Sequence, residues 1–185
     1  SSKETKLRMA EIMFENLRVS TLGIISTSVL SLLSTGRTRG LVVEVGDGVT
    51  HTVPVFEGYA LPHAIRRLPF AGADITEHIH TSLYDHLLPS QIQIARQIKE
   101  QKQCGPMDYE RTLSGQDMSN EETGSYELPG GEIIQVDKET RAMAGEILFR
   151  PSLVGCDGAP IQQMVFDAIN KCDNDVKTDL YNSIV

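Results

Sequence analysis

Residues 41–58 read LVVEVGDGVTHTVPVFEG, two β-branched runs that meet at Gly46-Asp47-Gly48. A two-residue Asp-Gly connection between such runs is a strong hairpin signal, because both central positions of a type I′ turn need positive φ and these residues tolerate it. In the second run, Val49, His51, Val53 and Val55 alternate with Thr50, Thr52 and Pro54, which assigns the two sets to opposite faces of a sheet. Pro54 has no N–H to give a ladder, so its N side faces away from a partner strand. The same turn has a second reading. Gly46 and Gly48 put no side chain in the way of a ligand, and successive backbone N–H groups there form a nest for an anion. An aspartate in a phosphate nest requires a divalent cation as well, because two anions at contact repel. The turn is therefore a plain hairpin connection or a place for phosphate and metal together. His51 follows the same choice, as a hydrogen-bonded core histidine or a group beside a phosphate.

Outward from the hairpin the pattern is mixed α/β. KLRMAEIMFENL carries Met9, Ile12 and Met13 at helical spacing and predicts a one-sided helix of about three turns. STLGIISTSVLSLLSTG predicts a helix capped at Ser20 or Thr21, with a stripe of Leu22, Ile25, Val29 and Leu32 and a terminating Gly36. Beyond Phe70 two helices are expected, one carrying Ile75, Ile79 and Leu83, the other Ile94 and Ile98 behind a Ser90 cap. RTLSGQDMSNEETGS reads as a surface loop, YELPGGEIIQV as a second hairpin around Pro129, Gly130 and Gly131. Short helices are expected near AMAGEILF, after Pro160 with Ile161, Val165 and Ile169, and in DVKTDLY before a last strand.

At 185 residues, 40% hydrophobic and 23% charged, the chain can bury a core but is short for two full domains. A net charge of -8 and a pI near 5.1 speak against direct nucleic-acid binding, which needs clustered Lys and Arg; Arg37/Arg39 and Arg66/Arg67 are too few. Cys104, Cys156 and Cys172 lack CxxC spacing, which suggests neither a disulfide framework nor a zinc site and fits a reducing compartment. His78 and His80, two apart on a helix, point to different faces and make a poor metal pair. No apolar run approaches the roughly 20 residues of a membrane span, and no leader pattern opens the sequence, so a soluble chain without a membrane partner is expected. The end LYNSIV carries no terminating signal, which points to a longer protein. On RQIKEQK, Arg96, Lys99 and Glu100 share a helical surface that by spacing alone is a solvated face.

LSTGRTRGLVVEVGDGVTHTVPVFEGYALPHAIRRLPFAGADIT, together with EIMFENL, RQIKE, SYELPGGEIIQV, EILFRPSLVG and NKCDNDVKTDLYNSIV, resembles the actins and actin-related proteins in family order. Sugar kinases and the large heat-shock chaperones share the ATPase fold but lack the continuation GVTHTVPVFEGYALPHA. The resemblance implies an incomplete actin-like ATPase fold of the ribonuclease H-like kind: an α/β mixed sheet with flanking helices and a helical insertion. Residues 1–36 would lead into the second half, 37–70 with 149–185 would form a sheet-bearing lower subdomain, and 71–148 the helical upper insertion. It further implies about half of a site for ATP or ADP with Mg2+ held through water. Gly46, Asp47, Gly48 and Val49 would cradle the terminal phosphates, Arg96, Lys99 and Glu100 would approach the adenosine, and His51 would help place the attacking water. Asp47 and Glu44 would stand near the metal. Implied partners are nucleotide and other actin-like or actin-binding proteins, in a cytoplasmic, cytoskeletal setting, with a nuclear one as the alternative.

Several positions depart from the family pattern. Where the family has DSGDG, this chain has Glu44 and Val45 before Gly46; the missing serine removes a hydrogen bond of about 0.5–1.5 kcal/mol, more to a charged acceptor. Aligned with VLSLYASGRT, VLSLLSTGRT puts Thr27 where the family glutamine orients the nucleophilic water. Threonine is too short for that task, so slow or absent hydrolysis is expected. YDHLLPSQIQIA is shortened, and EQKQCGPMDYE carries Gly105 and Pro106, which should end its helix early. Two functions follow: a divergent ATP-binding, filament-related protein, or an interaction subunit of a larger complex with a structural pocket.

Overall fold

β1 (Gly40–Val45) and β2 (Thr50–Phe56) pair antiparallel from Gly40↔Val55 to Val45↔Thr50, as the two β-branched runs require. On its other edge β2 pairs with the short β3 (Tyr59–Ala60) and β4 (Arg66–Leu68), both antiparallel. Residues 183–185 lie parallel to β1 through the Leu41↔Ile184 bridge, with Leu41 donating to the Ser183 carbonyl at 2.8 Å and Val43 to that of Val185 at 2.7 Å. The sheet is therefore mixed. This computed structural model describes residues 3–83, 86–88, 91–102, 109–114 and 124–185.

Both faces of the sheet are covered. On one, Val42, Val53 and Val55 pack with Val29 and Leu32 of α2 (Thr27–Ser34). On the other, Leu41 packs with Ala168 and Ile169 of α7 (Ile161–Asn170) and Val176 and Leu180 of α8 (Asn174–Asn182). The alternation in β2 separates the two faces as expected, yet its threonines are buried too. Thr50 donates its hydroxyl to the Phe70 carbonyl at 2.7 Å, which removes the penalty of burying that group unpaired.

α3 (Gly72–Ser82) and α4 (Ile92–Lys102) bury Ile75, Ile79, Ile94 and Ile98 against Tyr126 and Ile134 of the hairpin β5 (Ser125–Glu127) and β6 (Ile133–Gln135). Gly131 takes a φ of 84° in the hairpin's connection, where only a residue without Cβ sits easily. Ser90, Gly105 and Pro106 and most of the expected surface loop lie outside the described residues. α5 (Tyr109–Leu113) precedes that gap. α6 (Lys138–Glu146) begins earlier than the apolar pattern indicates, because Asp137 caps it by accepting the Thr140 N–H at 2.6 Å.

Two expectations in the first third need correction. The helix predicted from Ser20 starts only at Thr27, and its cap is Ser26. Gly23 and the β-branched pair Ile24-Ile25 oppose helix before it, and Ile25, assigned to the buried stripe, is 58% exposed. α1 (Lys3–Glu11) runs into a π turn at Ile12–Asn16, and none of these residues is buried. Its one-sided apolar pattern finds no core among the described residues. No helix among them is long and apolar enough to cross a membrane.

Candidate functional site

The connection between β1 and β2 is not the two-residue I′ turn its Asp-Gly suggests. Pairing stops at Val45↔Thr50, so Gly46, Asp47, Gly48 and Val49 all lie in the loop, closed by the Gly46 N–H on the Val49 carbonyl at 3.0 Å. None of the four takes positive φ. The tight turn with φ of 51° and 78° falls instead at Glu57-Gly58, between Phe56 and its partner Tyr59. A left-handed backbone is thus not what calls for glycine at position 48. A Cβ built there meets nothing within 4 Å. Among the described residues, no backbone carbonyl accepts from the N–H groups of Asp47, Gly48 or Val49. Three successive donors beside open space match the needs of an anion.

The loop is held from behind. Gly72 and Ala73, which open α3, donate their N–H groups to the carbonyls of Gly46 and Asp47 at 3.0 and 2.6 Å. Lys99 of α4 then donates Nζ to the Gly72 carbonyl at 2.8 Å and to Thr76 Oγ1 at 2.9 Å. Arg96 reaches Asp47 Oδ1 at 3.3 Å, an exposed pair that contributes little to stability. Glu100 is exposed on the same helix. α4 thereby brings Arg96 and Lys99 to the loop, with Lys99 engaged by the α3 N-terminus.

Glu44 and His51 oppose each other across the hairpin, 2.7 Å apart through Oε2 and Nε2. They face α2, whose Ser28 and Ser31 donate hydroxyls to the two oxygens of Glu44 at 2.7 and 3.2 Å. Thr27 Oγ1 stands at 3.4 Å from the same carboxylate. Partial burial pushes the Glu44 carboxyl up, but the hydrogen bonds from Ser28, His51 and Ser31 outweigh it and hold the group below the usual carboxylate range. Glu44 and Asp47, both expected near a metal, thus have separate partners. No cluster of three His, Cys, Asp or Glu side chains is arranged to hold a metal among the described residues.

The sequence model described as Actin matches residues 1–120 and 85–185. The chain belongs to the actin family. Putative actin-29 of Dictyostelium discoideum is 36% identical over 189 residues, covering 99% of this chain and 49% of that relative. The chain thus spans about half the length of that curated relative. The mixed sheet with helices on both faces accords with an actin-family α/β fold.

Among the residues that shape this actin-family site, Ser28, Ser31, Gly72, Ala73 and Thr76 are absent from the sequence-based set. Ser28 and Ser31 leave a signal that can be read: two hydroxyls three apart, on the side of an apolar helix that also carries Leu32. A fully buried serine there needs an acceptor, and Glu44 is that acceptor. The contacts of Gly72 and Ala73 are backbone contacts across 26 residues and leave no such trace.

Proposed function

We propose that this actin-family chain supplies one side of an ATP or ADP site, with the loop 46–49 receiving the terminal phosphates. The observation that carries the reading is the row of three N–H groups without a backbone acceptor among the described residues, next to a Gly48 whose Cβ position is open. Fixed donors of this kind stabilise phosphate charge without reorganising, because Gly72, Ala73 and Lys99 already brace the loop. Exposed Asp47 suits Mg2+ held through water, and Arg96 beside it offers a cation on the same side. The metal would supply charge neutralisation at the phosphates; Glu44, its oxygens occupied by serine hydroxyls and His51, would add negative charge nearby rather than a direct ligand. Lys99 would act behind the loop, and Glu100 would remain at the adenosine end of α4.

Hydrolysis is slow or absent in this reading. Thr27 cannot reach as glutamine does, and its hydroxyl is directed at Glu44. His51 remains near the loop as the group that helps place water. The role is cytoskeletal or filament-related, among other actin-like or actin-binding proteins, and cytoplasmic. Calorimetric titration of the full-length protein carrying these residues with magnesium ATP, followed by phosphate-release assays with and without polymerising salt, tests it. Binding with little release is expected, and no binding would sink the nucleotide reading.

The replacement of the family glutamine by Thr27, whose hydroxyl lies beside Glu44, favours a second reading, an interaction subunit of a larger cytoskeletal or chromatin-associated assembly with a structural nucleotide. Tight binding with no release and no salt-induced polymer would select it.

A further inference from the structure

The departures at positions 27 and 44 meet in space. We infer that Glu44 is a positioning residue for His51: seated by the hydroxyls of α2, its carboxylate holds the imidazole through Nε2 and leaves Nδ1 as the acceptor nitrogen of the neutral ring. The assignment of His51 as the water-placing group rests on the nucleotide reading above; the orientation of the ring does not.

Glu44 and His51 are direct cross-strand partners, so the backbone register alone brings the side chains together on the α2 face. A free glutamate has three rotatable bonds and would hold a histidine poorly. Here Ser28 fixes Oε2 at 2.7 Å and Ser31 fixes Oε1 at 3.2 Å. Ser28 is buried, and α2 is packed on the sheet through Val29 and Leu32, so the donors are themselves immobile. The ionised carboxylate is an acceptor only, so at 2.7 Å the Nε2 atom is the donor in this pair. In the neutral ring the proton is then on Nε2, and Nδ1 makes no hydrogen bond among the described residues. His51 is only partly buried, so that nitrogen can meet water or ligand.

The sequence difference gains a physical meaning from this. The family aspartate is one methylene shorter than Glu44. Extending from β1, Glu44 meets His51 of β2 and α2 together, where Thr27, Ser28 and Ser31 all present hydroxyls toward its carboxylate. In place of an amide acting directly on water, this chain carries a hydroxyl-seated carboxylate acting on the histidine.

The test uses nitrogen-15 histidine spectra of the full-length protein, with the His51 signals assigned by their loss in His51→Gln. Wild type should show His51 as the Nε2–H form above the imidazole titration range, with and without magnesium ATP. Glu44→Met, which keeps the length but removes the acceptor, should convert His51 to an averaged tautomer mixture. Glu44→Gln, whose amide oxygen still accepts, should restore the Nε2–H form. A wild-type spectrum dominated by Nδ1–H, or a Glu44→Met spectrum unchanged from wild type, would overturn the inference. The wild-type spectrum suffices for that even where Glu44→Met does not fold. Failure to bind magnesium ATP in parallel calorimetry would overturn the nucleotide reading alone and leave the tautomer result in force.

Discussion

Gly48 and Gly72 stand on opposite sides of one loop, and their neighbourhoods predict opposite consequences of the same substitution. At Gly48 an added Cβ meets no atom within 4 Å and φ is not positive, so Gly48→Ala should leave urea stability unchanged or raise it by about 0.4–1 kcal/mol through the unfolded chain. The methyl would occupy the approach to the backbone donors, so magnesium ATP affinity should fall about tenfold or more, roughly 1.4 kcal/mol. At Gly72 the Cβ would lie 3.1 Å from the Gly46 carbonyl and 3.4 Å from Lys99 Nζ. Gly72→Ala should therefore lower urea stability, by about 1–2 kcal/mol as overpacking does. Equal effects of the two on stability would contradict this account. Position 27 gives a third residue-scale expectation: Thr27→Gln, at an exposed site, should raise phosphate release about tenfold or more with ATP affinity unchanged, measured in single turnovers.

At the scale of elements, Lys99 of α4 acts on the loop through α3, while Arg96 of the same helix reaches Asp47 directly. Lys99 joins the carbonyl of Gly72 to the hydroxyl of Thr76, and the Gly72 N–H holds Gly46. Lys99→Met keeps the aliphatic stem and removes the donor, leaving a partly buried carbonyl without it. A loss of about 1–3 kcal/mol is expected, with faster hydrogen exchange at residues 46–49 and 72–73 and unchanged exchange in α7. Unchanged exchange at the loop would return Lys99 to a purely ligand-facing role. The same elements show what the sequence could disclose. The hairpin 40–56, the stripes of α3 and α4 and the hairpin around Gly131 were legible because their apolar periods report burial directly. The start of α2 was not, because its apolar stripe continues backward through Ile25 and Leu22 while Gly23 and Ser26 decide the boundary locally. The loop was legible as a place but not as a shape: Asp47-Gly48 fits a tight turn by composition, and only the pairing at Val45↔Thr50 shows four residues. Glu44 was read from its position as a metal neighbour, whereas its contacts depend on α2 lying over the hairpin, a tertiary fact.

For the molecule as a whole, stability should carry a pH dependence traceable to His78. This residue lies on α3 beside a cavity of about 470 Å³ lined also by Phe70, Asp74, Glu77, Thr81, Leu153 and Val154. Its Nε2 is buried without a hydrogen-bond partner among the described residues. Burial pushes the imidazole pKa below its ordinary value of 6.5, so the folded protein prefers the neutral ring, whereas the unfolded chain takes up a proton near pH 6.5. The unfolded state thus binds more protons below that pH, and stability must fall as pH drops through 6.5, levelling once the depressed folded pKa has also been passed. Above pH 6.5 the contribution is complete. His78→Phe keeps a flat ring and removes the titration, so the difference between wild-type and variant unfolding free energies should be constant from pH 7 to 8. It should shift in favour of the variant between pH 6.5 and 5. Urea unfolding at half-unit pH steps measures it, and parallel curves across the whole range would show that His78 is protonated equally in both states.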